Sequence, residues 1–273
     1  MNGEMKTKRM GLILILYIIC VAGVQGQPVR VYAGGKAGVG MPSLATGAKS
    51  TPLNEDYAFR LTYYGGFVME VQSDKLLSFL AEINYSTQGG ERYGMQALPL
   101  MDQLKLFWDE LTSQGVKHDN YMYSNLKSQE IFNYVEMPLM AKATFGSGRR
   151  FNFYLSSGPF VGVLIRATSI TRGINSIYLD KEGINPVDKY LQSDGLSALG
   201  KQSFNKTVNI TGNLNRYNVG WQGSIGFEII TKSGKMFMEL GGNYGFIPIQ
   251  KDESNGSNTT DNAIITIGYM QRL

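Results

Sequence analysis

The chain has 273 residues and a formal net charge of +4. Charged residues are 18% of it, against roughly 25% in an average soluble domain, and one Cys and one His exclude a disulfide scaffold and Cys/His metal clusters. The 43% hydrophobic content with 16 Tyr and 13 Phe excludes disorder, and so small and scattered a charge excludes nucleic acid as a partner. A mean hydropathy of −0.15 excludes a bundle of membrane helices, though not a membrane β-barrel, whose alternating strands average out.

Residues 1–26 have the three parts of a secretory signal peptide. Lys6, Lys8 and Arg9 precede an uncharged run from Gly11 to Val24, and Val24-Gln25-Gly26 suits cleavage before Gln27. The run of 14 residues is short of the ~20 that span a bilayer as a helix. Cys20 lacks the small preceding residue of a lipoprotein site, since Tyr17-Ile18-Ile19 stands before it. Cleavage removes three of 26 basic residues and Glu4 of 22 acidic ones, leaving 23 and 21 and no cysteine. Residues 27–273 then form one exported domain.

Period-two alternation dominates that domain, which argues strands. From Phe151 to Arg166, Phe151, Phe153, Leu155, Val161 and Val163 share one face, and Asn152, Ser156, Gly158 and Gly162 the other. Eight such segments are predicted, over 30–41, 58–71, 76–88, 131–145, 150–166, 215–231, 235–248 and 261–271. Each is long enough for the ~9–11 residues that a tilted strand needs to cross a membrane. Tight turns at 72–75, 146–149 and 231–234 alternate with long connections at 42–57, 89–130, 167–214 and 249–260. In an up-and-down meander, all short turns then lie on one rim and all long loops on the other.

The expected fold is therefore all-β: an eight-stranded antiparallel up-and-down transmembrane β-barrel with short periplasmic turns and long extracellular loops. Apolar-face aromatics (Tyr63, Phe67, Phe151, Phe153, Trp221, Phe227, Tyr244, Phe246 and Tyr269) are expected to form membrane girdles. Glycines on the other face, among them Gly34, Gly38, Gly158, Gly162, Gly226 and Gly268, leave room in a narrow interior. That interior is expected to hold a charge network of Lys36, Arg60, Glu70, Glu82, Glu136, Lys142, Glu228 and Glu239. A turn centred between Ser233 and Gly234 would set Glu228 and Glu239 side by side, with Lys142 or Lys36 reaching them. In the second long loop, Leu98 to Leu111 has helical spacing at 98, 101, 104, 107, 108 and 111, and a short amphipathic helix over the rim is expected.

Tyr134-Val-Glu-Met-Pro-Leu-Met-Ala-Lys142 and the following Phe153-Tyr-Leu-Ser-Ser-Gly-Pro-Phe-Val-Gly162 resemble the Tyr-to-Lys strand and the Gly-Pro strand after it in the PorT-like outer-membrane β-barrel family. Leu80 to Gly90 and Gly220 to Glu228 look like two more. The resemblance implies an eight-stranded barrel in the outer membrane, delivered by the barrel assembly machinery, in a family that includes a component of type IX protein secretion. The chain departs from the usual aromatic C-terminus of such barrels by ending in Leu273, with Tyr269 the nearest aromatic.

Little in the sequence points to catalysis. His118 lies in a long polar loop between Lys117 and Asp119. Gly34 to Gly40 lacks the Lys-Ser/Thr of a phosphate loop, and Asp252, Glu253 and Asp261 are an unspecific metal set. Asn205-Lys-Thr and Asn209-Ile-Thr match glycosylation acceptors by chance in a bacterial protein. No cofactor is expected. The expected role is structural, or accessory to transport or protein secretion through the extracellular loops, with lipid and secretion or envelope proteins as partners. A narrow pore, a membrane-embedded lipid or peptide hydrolase using His118, and a secreted soluble barrel remain the alternatives.

Overall fold

The computed structural model describes residues 29–73, 76–100, 104–146, 150–190, 202–254 and 256–273. The expected signal peptide lies outside the described residues. Eight long strands form the wall: β1 (Arg30–Thr46), β2 (Thr62–Gln72), β3 (Leu77–Leu98), β4 (Met122–Phe145), β5 (Phe151–Arg172), β9 (Tyr217–Ile230), β10 (Gly234–Gly245) and β11 (Asn258–Arg272). Between β5 and β9 lie the short strands β6 (Ile174–Asn175), β7 (Gln202–Ser203) and β8 (Lys206–Asn209). Every wall strand pairs antiparallel with its neighbours in sequence, β5 pairing on to β9 and β11 back to β1, so the sheet closes into a barrel.

The alternation divides the wall into two faces. All nine aromatics expected in the girdles point outward, from Phe153 at 36% exposed to Tyr63 at 84%. Inward positions hold the charges and also large rings. Gly226 faces Tyr154, where an added Cβ would lie 2.4 Å from the ring, and Gly268 faces Phe237 at the same distance. Glycine is thus the counterpart of an inward aromatic, because eight strands enclose a space only just wide enough for side chains.

The strands run further than the alternation suggested. β3 and β4 stay paired from Leu77–Ala143 to Leu98–Met122, so nearly half of the expected 89–130 loop is paired strand. On the outer face of β4, Leu139 and Met137 give way to Gln129, Lys127 and Asn125. The apolar belt ends there, and the rest of the hairpin stands in water. Gly89 and Gly94 have φ of 113° and 89°. A side chain at Gly89 would also strike the Glu130 carbonyl 2.0 Å away. These glycines look like loop in the sequence but bend a continuous strand.

At the hairpin tip, helix α1 spans Lys105–Ser113, later than the Leu98 start expected: Leu98 still belongs to β3, and Met101 lies outside the described residues. Leu104, Trp108 and Leu111 pack on Met122 and on Ile177, Leu179 and Val187 of the next loop. This apolar core binds two loops into one extracellular lobe. A second cluster, including Leu44, Phe132, Tyr134, Leu164, Leu214 and Ile249, closes the barrel mouth beneath the loops. A third, with Tyr32, Val68, Leu80, Met140, Tyr154, Phe237 and Met270, fills the periplasmic end.

Candidate functional site

The polar lumen lies beneath the mouth cluster, and its lowest layers interleave with the periplasmic one. Nearest the periplasmic turns, the Lys142 ammonium sits 2.6 Å from Glu228 and 3.0 Å from Glu70. Lys235 reaches Glu70 at 2.8 Å and Glu228 at 3.7 Å. Asn152 donates to the other oxygen of Glu228 at 3.2 Å. Rings cover both cations, Tyr154 at 4.1 Å from Lys142 and Tyr32 at 4.2 Å from Lys235. One layer up, Lys36 lies 2.8 Å from Glu82 and 3.1 Å from Glu239, and Thr266 donates to Glu239. Above that, Gln88 and Asn243 donate to the two oxygens of Glu136 at 2.9 and 3.0 Å.

Seven of the eight residues expected in the lumen are therefore brought together, all at most 7% exposed. Arg60 is not among them. It precedes β2, above the belt, where the chain leaves the sheet and alternation no longer sets direction; the charge facing it is Glu91 at the rim. Lys235 joins them although it adjoins the turn, because it shares parity with Glu239 and so faces inward. The hairpin register also differs from expectation. Glu228 pairs with Phe237 and Glu239 with Gly226, because the turn centres one residue earlier, with Thr231 and Gly234 bonded across it at 2.9 Å. The two carboxylates are thus staggered, not side by side, and each takes a different lysine.

Charges so deeply buried need complete pairing, since an unpaired one costs several kcal/mol. Here six of the seven, together with Lys235, make short ionic contacts beneath an apolar cap, and Glu136 accepts hydrogen bonds from Gln88 and Asn243. Outside the membrane, the groups are of another kind. His118 is exposed. Its Nδ1 lies 3.0 Å from the Asp119 carbonyl and its Nε2 2.9 Å from the Thr112 hydroxyl, which itself donates to the Trp108 carbonyl. That geometry fastens the end of α1; the third group is a backbone carbonyl, with no carboxylate orienting the ring as a hydrolytic triad requires. In the last loop, Asp252 accepts the Ser254 amide at 2.9 Å. Among the described residues, no three His, Cys, Asp or Glu side chains converge as a metal site.

The lobe carries one ordered loop anchor. Partial desolvation opposes the charge of Asp180, but the amides of Ile184 and Asn185, donating to its two oxygens at 2.9 and 2.8 Å, outweigh it and hold the carboxyl below its ordinary value. At the rim, burial first and then nearby Glu130 push the Tyr57 hydroxyl up to about 12, despite the Arg92 guanidinium 5.2 Å from its ring.

Comparison with solved structures returns small outer-membrane proteins at low similarity. The outer membrane protein OprG from Pseudomonas aeruginosa aligns with 90% of this chain and 96% of its own, at 9% identity and a TM-score of 0.39. Neisserial surface protein A aligns over 90% and 100%, at 9% identity and 0.38. Ail, the attachment invasion locus protein of Yersinia pestis, aligns over 89% and 98%, at 6% identity and 0.35. No curated protein matches the sequence. Residues 25–251 match the family described as outer membrane protein beta-barrel domain. With that match over most of its length and a closed ring of eight membrane-length strands, the chain belongs to the outer membrane protein beta-barrel domain family, and its place is the outer membrane.

Proposed function

We propose that the protein is a closed outer-membrane anchor that presents its extracellular lobe to envelope or secretion proteins, without conducting solutes and without catalysis. The observation that carries this reading is the contrast between the two ends of the molecule. The lumen is filled by ion pairs and capped by an apolar cluster, while the β3–β4 hairpin rises past the belt and shares a separate core with residues 177–187. Such a core is costly to maintain in a loop that only connects strands. Leu106 and Ile184, 82% and 73% exposed, give the lobe apolar contact points on its outside. The likeness to the PorT-like strands favours an accessory of protein secretion, folded by the barrel assembly machinery.

Two measurements test the proposal together. Purified protein in a planar bilayer should show no steady conductance; reproducible channels would replace this reading with a pore. A photo-crosslinking residue at Leu106 or Ile184 should give a discrete adduct in intact cells. Adducts no different from those formed at the periplasmic turn residue Lys232 would remove the lobe as a docking surface.

A further inference from the structure

Where β4 and β5 leave the membrane, the outer face of the wall carries cations. Tyr85, Val135, Val163 and Tyr217 stand in one row across β3, β4, β5 and β9. The two tyrosines, 48% and 64% exposed, mark the upper aromatic girdle, which lies at head-group level. One row higher, the register of β5 slips against β4 between Asn133 and Tyr134, and Ile165 is the extra residue. Counted from Gly162, strict alternation would point Arg166 into the lumen. The bulge turns it outward instead, so that Ile165 and Arg166 are both exposed and Ala167 is fully buried behind them.

Three rows above Arg166, Lys127 and Arg172 lie directly opposite each other on the same outer face. Two like charges in a cross-strand pair cost stability. Arg172 donates only to neutral groups, the Thr171 and Lys206 carbonyls and the Thr207 hydroxyl. Lys127 rests over the Tyr93 ring at 4.7 Å, and Glu91, the acid beside it, accepts from Gln129 at 2.9 Å. Among the described residues, none of the three cations has a carboxylate within ion-pair distance.

The cations thus occupy two levels of one sector. Six residues of strand separate the levels by about 20 Å, or about 15 Å along the membrane normal at a tilt of ~40°. A phospholipid has one phosphate, beside its glycerol, and reaches only Arg166. A glycolipid with phosphates on the sugars that bear its acyl chains and on the sugars above them reaches both levels. We propose that this sector of the wall binds a phosphorylated glycolipid of the outer leaflet, of lipopolysaccharide type. Arg166 takes a phosphate at the membrane surface, and Lys127 with Arg172 takes one on the core sugars. Guanidinium forks suit phosphate oxygens, and an anion between Lys127 and Arg172 relieves their repulsion.

The test is native mass spectrometry of the full chain refolded in detergent micelles. It is titrated with deep-rough lipopolysaccharide, with the same glycolipid after enzymatic removal of its phosphates, and with dioleoylphosphatidylglycerol. The intact glycolipid should be retained in preference to both others. Arg166→Gln, Arg172→Gln and Lys127→Gln should each weaken its retention roughly fivefold, while Lys49→Gln, in the loop after β1, should leave it unchanged. Equal retention of the dephosphorylated glycolipid overturns the proposal, and this arm needs no variant to fold. Phosphatidylglycerol held as tightly as the glycolipid also overturns it, because the upper pair is then unused. So does a loss in Lys49→Gln equal to that in Arg166→Gln, because the attraction is then one of overall charge.

Discussion

Glu228 and Glu239 stand two residues out of step across the β9–β10 hairpin, and this stagger sends Glu228 to Lys142 and Glu239 to Lys36. Lys142 is therefore shared by two carboxylates, whereas Glu228 also has Asn152 and Lys235 nearby. Lys142→Met should leave Glu70 and Glu228 repelling each other with only Lys235 between them, and cost about 3–5 kcal/mol. Glu228→Gln should cost less, about 1–3 kcal/mol, since Glu70 still lies between Lys142 and Lys235 and the glutamine keeps an acceptor oxygen. Urea unfolding of the refolded variants in lipid vesicles checks the order; a Glu228→Gln loss as large as that of Lys142→Met would contradict it.

Gly226 and Tyr154 occupy one volume between them. Gly226→Ala should cost about 1–3 kcal/mol by forcing the ring aside, and should also displace the ring from over Lys142. The same alanine placed in Tyr154→Leu should cost less than in the native chain. Additive losses in this double-mutant cycle would show that the glycine is there for another reason.

Much of the wall was legible in the residues themselves. Alternation in Phe151 to Arg166 gave the two faces, and Ser233-Gly234 the tight turn after β9. What stayed hidden lies where local pattern and long-range pairing disagree. Gly89 and Gly94 signal a loop on their own, and only the partner strand from Met122 keeps them in the sheet. The 231–234 turn centres one residue away from expectation, an interval that local turn chemistry does not resolve but that decides which side chains meet. Phe132, Tyr134 and Leu164 read as strand residues among many, and their joint closure of the mouth arises only when the sheet curls.

Trp108 is 4% exposed and donates its ring N–H to the Asp119 carbonyl at 2.9 Å. Trp108→Ala should cost about 3–5 kcal/mol locally and open the lobe while the barrel stays intact. Trypsin should then cut at Lys105 and Lys117 at least tenfold faster, with the heat-modifiable migration of the barrel unchanged. Loss of that migration would mean that the lobe and the wall fold as one unit.

Asp180 gives the lobe a pH dependence of definite sign. Its carboxyl is held below the ordinary 3.8 when folded, so its contribution is present above that value and fades as pH falls through the folded pKa. Amide resonances of Ile184 and Asn185 should titrate together with a midpoint under 3.8, and Asp180→Asn should remove the transition. A shared midpoint above that value would reverse the assignment.

β5 changes partners partway along its length. Up to Val163 it pairs with β9, and from Thr168 to Thr171 with β8. Above the membrane, β3, β4, β5 and β8 continue together past the ends of their neighbours β2 and β9, while on the far flank β10 ends at Gly245 and β1 and β11 stay paired as far as Thr46 and Asn258. Seen from outside the cell, the molecule has a front and a back. The tall side screens whatever approaches from one direction, and the low side leaves the loops before β2 and after β10 accessible from the other. Neighbours in the plane of the membrane consequently meet two unlike profiles, and the azimuth at which one stands decides which of them it touches.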